Sequence, residues 1–99
     1  VPINNRHCII DLAQHLRAPV LLVSNNYLGS INHTLLSIAE LRRREIPIVG
    51  LLFCVDPNIA SESVISEMSS INILPRLPTL NPLNSESLAN YAYQLRTAL

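Results

Sequence analysis

Val20-Leu21-Leu22-Val23-Ser24-Asn25-Asn26-Tyr27-Leu28-Gly29-Ser30-Ile31-Asn32-His33 is the stretch whose reading decides the fold. Val20 to Val23 form an unbroken apolar run with two β-branched members, the pattern of a buried parallel strand. A polar turn follows and ends in Gly29. From Ser30 onward Ile31, Leu35, Ile38 and Leu41 recur at intervals of four, three and three, the period of one helix face. A strand tip, a turn and a helix start therefore meet between Ser24 and His33. Arg42-Arg43-Arg44 falls in the last helical turn, where cations meet the negative end of the helix dipole. Three adjacent arginines point to different sides of a helix, which predicts a solvated end rather than a basic docking face.

Upstream, Ile9, Leu12, Ala13 and Leu16 give residues 8–16 helical spacing, and Ala18-Pro19 ends that helix because the residue before a proline avoids helical dihedrals. Downstream, Ile46-Pro47 breaks the second helix and residues 48–55 read as a second buried strand. Asp56-Pro57-Asn58 turns the chain into a weaker helix near residues 59–69. Residues 71–74 read as a short strand, 75–82 as a proline-punctuated loop, and 84–98 as a final helix opened by Ser85 as N-cap or first-turn residue. Such alternation is that of an α/β chain, an open parallel sheet covered on both faces.

Composition agrees. Of 99 residues 48% are apolar but only 4% aromatic, so the core consists of Leu, Ile, Val and Ala. A single domain of this size buries about 60–65% of its unfolded surface, which leaves thin stability. Seven basic and seven acidic residues balance, leaving no electrostatic footprint for nucleic acid or an anionic membrane. All the basic residues are arginine, so a function that needs a lysine on phosphate or in a Schiff base draws it from elsewhere. Cys8 and Cys54 each sit in an apolar run without a partner at metal-ligand or Cys-x-x-Cys spacing, which predicts buried free thiols in a reducing compartment. No charged leader and no apolar run of spanning length occurs, so a cytoplasmic, non-membrane protein is expected. Val1-Pro2 reads as the middle of a domain rather than its start.

In open α/β sheets ligands bind beyond the carboxyl ends of the strands, here residues 24–30 and 54–58. The first loop ends at a helix start, where unpaired amides and the positive dipole end suit a carboxylate or phosphate. The same residues have a plainer reading: Ser30 caps the helix, Gly29 relieves a positive φ, and Asn25-Asn26 are turn residues. His33 reads as a surface residue, and His7 and His15 as solvent-facing for lack of partners. With only Gly29 and Gly50 present there is no glycine-rich phosphate loop. No Ser/His/Asp group, paired carboxylate or metal-ligand cluster has a usable spacing, so no catalytic residue and no metal ligand is expected in this chain.

Residues 27–36, Tyr-Leu-Gly-Ser-Ile-Asn-His-Thr-Leu-Leu, resemble the segment after a strand in dethiobiotin synthetases, the ATP-dependent carboxylases of biotin synthesis. Val1-Pro2-Ile3-Asn4, Asp11-Leu12-Ala13 and Pro19 to Val23 resemble the run after that family's Glu-Gly-Ala-Gly-Gly motif. Residues 46–51 resemble its next strand. Leu77-Pro78 and Asn81-Pro82 resemble its late nucleotide-side loop. The resemblance is strong over residues 19–52 and loose after 56. It implies a three-layer parallel sheet of P-loop NTPase type, with residues 1–99 as the C-terminal part of a single domain, incomplete here. It also implies a homodimer whose diamine substrate, 7,8-diaminononanoate, lies across the interface and is carboxylated with CO2 and cyclised by ATP and Mg2+. The family's Leu-Gly-x-x-Asn segment holds the substrate carboxylate, which carries that role onto Leu28, Gly29, Ser30, Ile31 and Asn32. Cys54 and Pro78 fall at nucleotide-binding positions. Cys54 departs from the pattern, since many members have an Asn there to read the adenine edge, and a thiol lacks an amide's paired donor and acceptor.

The P-loop, its lysine and the magnesium-binding acids of the family precede the region that this sequence resembles. The 99 residues alone are therefore expected to be inactive. Two other readings share the same fold: a related amidating enzyme or ligase of the P-loop class, and a non-catalytic dimerisation module.

Overall fold

Ala18-Pro19 and Ile46-Pro47 each end a helix and release the chain into a strand, and in the folded chain these two strands lie side by side. The computed structural model describes residues 1–54 and 56–99. Among them the order is α1 (Ile9–Leu16), β1 (Val20–Asn25), α2 (Ser30–Arg43), β2 (Ile48–Cys54), α3 (Ile59–Ser69) and α4 (Ser85–Ala98). Val20 N–H donates to the Pro47 carbonyl at 2.8 Å, opening a parallel pairing that runs to Asn25 opposite Cys54. The register slips once, between Val20 and Leu21. The strand expected at 48–55 is thus found through Cys54, and Val55 lies outside the described residues.

A third lane runs beside β2. Leu51 N–H donates to the Asn72 carbonyl at 2.8 Å, Leu74 N–H to the Leu51 carbonyl at 2.9 Å and Leu77 N–H to the Phe53 carbonyl at 2.9 Å. These contacts form two isolated parallel bridges, Leu51 with Ile73 and Cys54 with Leu77, instead of the short strand expected at 71–74. One more residue separates the bridging positions on the outer lane than on β2. That extra residue is the break: after Leu74 the regular donor to Phe53 would be residue 76, and the irregularity moves the bond to Leu77. Gly50 lets the lane approach, since a Cβ there would stand 2.8 Å from Leu74 Cγ and 3.0 Å from the Asn72 carbonyl oxygen.

The core lies where α2 and α3 cover one face of β2. Ile38, Leu51, Phe53, Ile65 and Ile71 form it, with Leu22, Ile31, Leu35 and Ile48 packed against it. Ile31, Leu35, Ile38 and Leu41 are thus the inward stripe that the spacing of α2 required, Leu41 being buried as well. On β1 the expectation of a strand buried on both faces fails. Leu22 and Ser24 turn toward α2, whereas Leu21 and Val23 alternate to the opposite face and are exposed. α4 is held by Tyr91 Oη, which donates to the Pro75 carbonyl at 2.8 Å, and Asn84 caps it by accepting from Ser87 N–H at 2.9 Å. Ser85 is accordingly its first-turn residue.

Two further expectations change. Cys8 is exposed and free, not buried: it is the N-cap of α1, a helix with no buried residue, and its N–H donates to Asp11 Oδ2 at 2.6 Å. Cys54 is free and half-buried. The arginine run is not uniformly solvated either. Arg44 reaches back to Asp11 Oδ1 at 2.7 Å while its Nε donates to Glu40 Oε1 at 2.7 Å, so it ties α1 to the end of α2. Arg42 and Arg43 remain exposed. No helix among the described residues is long and apolar enough to cross a membrane.

Candidate functional site

The first turn of α2 is shaped by Gly29, whose φ of 89° and ψ of 0° lie in the left-handed region that a residue with a Cβ rarely enters. Gly29 is the N-cap, so no side-chain oxygen covers the amides behind it. Ser30, offered by its sequence as the cap, is instead the first helical residue and is buried. Ser30 N–H donates to the Tyr27 carbonyl and His33 N–H to the Gly29 carbonyl, each at 3.0 Å. Helical acceptors for Ile31 and Asn32 would be the carbonyls of Tyr27 and Leu28, which stand before the helix, and neither bond is made among the described residues. Two amides at the positive end of a 14-residue helix are left to meet an anion.

Side chains brace this turn. Ser24 Oγ at the strand tip and Thr34 Oγ1 in the helix share a buried hydrogen bond of 2.9 Å. Tyr27 Oη and His33 Nδ1 lie 2.7 Å apart, which folds the His33 ring over Gly29. His33 is exposed, as expected, and so are His7 and His15. His7 does have a partner, Asn4 Oδ1, at 3.2 Å from its Nδ1. All of Leu28, Gly29, Ser30, Ile31 and Asn32 line one open cleft of about 730 Å³, closed on its far side by Asn58, the N-cap of α3, and by Ser61 in its first turn. Leu28 projects from it without cover, fully exposed.

Asn26 is more than a turn residue. Its Nδ2 donates to the Asp56 carbonyl and to Glu62 Oε2, both at 2.9 Å. Glu62 Oε2 also accepts from Asn58 N–H at 2.8 Å, and Glu62 Oε1 pairs with Arg76 Nη2. The guanidinium of Arg76, helped by these N–H donors, holds the Glu62 carboxyl down at about 2. Because the folded value lies below the ordinary 4.5, this interaction stabilises the fold fully above pH 4.5 and is lost as pH falls toward 2. An acid titration followed by circular dichroism should therefore place part of the stability loss between those values, and Glu62→Gln should remove that part.

Cys54 and Pro78 are also brought together. Cys54 ends β2 and bridges Leu77, which places Pro78 next to it on the surface. The Cys54 thiol offers no paired donor and acceptor to a base edge. No group of three or more His, Cys, Asp or Glu among the described residues could hold a metal ion, and no lysine is present for phosphate. Sequence reasoning missed Glu62 and Arg76. Asn58 followed by a glutamate in the first turn of α3 is a capping pattern that could have marked Glu62. Arg76 has no local signal, because its partner is 14 residues away.

Comparison with known proteins identifies the family. A family model described as an AAA domain matches residues 1–87. The ATP-dependent dethiobiotin synthetase BioD of Rhodopseudomonas palustris (strain BisB5) is 43% identical over 99 residues, 99% of this chain and 47% of that protein. BioD of Sphingopyxis alaskensis is 40% identical over 89 residues, 90% of this chain and 44% of its own length. The biotin biosynthesis bifunctional protein BioCD of Bordetella avium is 36% identical over 97 residues, 98% of this chain and 21% of that protein. The chain spans about half the length of the single-function relatives it matches. The parallel α/β sheet and the family match together place the chain in the AAA-domain family of P-loop NTPase type, where its similarity is to dethiobiotin synthetases.

Proposed function

We propose that this chain serves an ATP-dependent dethiobiotin synthetase as the C-terminal part of a single α/β domain, residues 1–99, and supplies the segment that holds the carboxylate of 7,8-diaminononanoate. One observation carries the reading: residues 28–32 line a single cleft into which α2 leaves the amides of Ile31 and Asn32 unspent. A carboxylate seated there gains two charge-assisted hydrogen bonds and the helix dipole. Asn32 adds a side-chain amide that orients it. Leu28, exposed at the tip, reaches toward the second subunit of a homodimer, where the amines of the substrate meet CO2. Cys54 and Pro78 border the nucleotide without reading its base edge. ATP, with Mg2+, supplies phosphorylation of the carbamate from residues other than these. By itself the 99-residue chain forms no dethiobiotin. The reaction belongs to the cytoplasm.

The reading is tested by Asn32→Ala in the natural polypeptide carrying this sequence. Calorimetry should show diaminononanoate binding weakened about tenfold, the value of one hydrogen bond to a charged group, with ATP affinity unchanged. Equal diamine affinity in variant and parent would contradict the assignment.

A further inference from the structure

Every loop of the candidate site converges on one carboxylate. Glu62 stands in the first turn of α3, with its side chain 14% exposed. Its Oε2 accepts from Asn26 Nδ2, which leads into the substrate segment, and from Asn58 N–H, which starts α3. Its Oε1 pairs with Arg76 Nη2, two residues before Pro78, and the Arg76 guanidinium lies 6.0 Å from the centre of the Phe53 ring. The carboxyl ends of β1, of β2 and of the outer lane thus meet at a single side chain, and Asn26 Nδ2 adds one direct bond to the Asp56 carbonyl at 2.9 Å. A helix cap needs only the bond to Asn58; the bonds to Asn26 and Arg76 go beyond capping.

We infer that Glu62 is a positioning residue that holds the substrate segment at residues 28–32 and the nucleotide-side loop at Leu77-Pro78 at one fixed spacing. What that spacing serves, the meeting of a bound diamine with a bound nucleotide, rests on the function proposed above; the linkage itself does not. Two substrates must be held within a few tenths of an ångström for reaction, and loops on separate strand ends drift unless tied. Charge-assisted bonds suit this task because each is about twice as strong as a neutral one.

Amide hydrogen exchange in the natural polypeptide tests the linkage. The reporters are Ser30 in the substrate segment and His33 just after it, bonded to Gly29, Leu77 in the nucleotide-side loop, and Leu74, bonded to Leu51, as a control for global opening. Arg76→Gln should speed exchange at Ser30 and His33 about tenfold, although Arg76 touches neither, and Leu77 as much, with Leu74 unchanged. Asn26→Ala cuts the substrate arm, together with the bond to the Asp56 carbonyl, and leaves the Arg76 arm intact: Ser30 and His33 should exchange faster while Leu77 keeps its parental rate. Glu62→Gln should loosen both arms, and if it does not fold the two single-arm variants still decide. Only one guanidinium nitrogen meets Oε1, so Arg76→Lys should return both rates to within about threefold of the parent. Unchanged Ser30 and His33 in Arg76→Gln, an equal rise at Leu74, or a lysine variant as fast as the glutamine one would each overturn the linkage. Calorimetry with diaminononanoate separates the two ideas. If the parent binds it and Arg76→Gln leaves exchange unaltered, the linkage fails alone. If exchange follows the expected pattern but the parent does not bind the diamine, the proposed function fails and the linkage stands.

Discussion

Leu51→Ala is expected to lower the unfolding free energy by about 3–4 kcal/mol, the middle of the range for buried leucines. Leu51 is wholly inaccessible and packs with Ile38, Phe53, Ile65 and Ile71 between the sheet and two helices. Its backbone is fixed on both sides, paired with Leu22 across β1 and bonded to Asn72 and Leu74 on the outer lane. A site so restrained cannot collapse around the missing atoms, and the cost of a cavity rises with the volume that stays open. Domains are stable by only about 5–15 kcal/mol, so this one change removes a large share. Leu28→Ala is the matched control. The same truncation at a fully exposed side chain should move stability by no more than about 0.5 kcal/mol. Urea denaturation of both variants checks the pair. A loss below about 1 kcal/mol at Leu51 would show that the core is not centred on β2.

Gly50→Ala is the second large effect, of about 1–3 kcal/mol, and it arises from crowding. A new methyl group would stand 2.8 Å from Leu74 Cγ and 3.0 Å from the Asn72 carbonyl oxygen. The leucine can swing aside, but the carbonyl belongs to the hydrogen bond from Leu51 N–H and cannot move without breaking it. The damage should therefore be directed: faster exchange at Leu74 and Leu77, with the β1–β2 pairing protected. Gly29→Ala differs in kind. Its nearest neighbour would be the His33 ring at 3.7 Å, so space is available, and the cost of about 1–2 kcal/mol comes from the positive φ. Denaturation and exchange measured on both variants distinguish crowding from backbone strain.

Local pattern reached far in this chain because proline and apolar spacing act locally. Ala18-Pro19 and Ile46-Pro47 mark where helix gives way to strand, and the stripe from Ile31 to Leu41 is the face that α2 buries. The open first turn of α2 was legible for the same reason, since Gly29 and the turn before it lie within a few residues of the amides they leave open. Errors arose where a neighbour distant in sequence decides. Cys8 sits in an apolar run, yet no layer covers it. Arg44 follows two solvated arginines, yet Asp11, 33 residues earlier, draws it inward. Residues 71–74 read as a short strand, but only Ile73 pairs there, in an isolated bridge to Leu51, because an extra residue on the outer lane moves the next bond to Leu77.

By itself, then, the sequence determined the α/β order, the inward face of α2, the residues where β1 and β2 begin and the family resemblance at residues 27–36, all of which depend on spacing along the chain. Only the tertiary structure decided that Asn26, Glu62 and Arg76 meet. They are separated by 36 and 14 residues, and hydrogen bonds a few ångströms long form between such positions only after a parallel sheet has brought its strand ends to one edge.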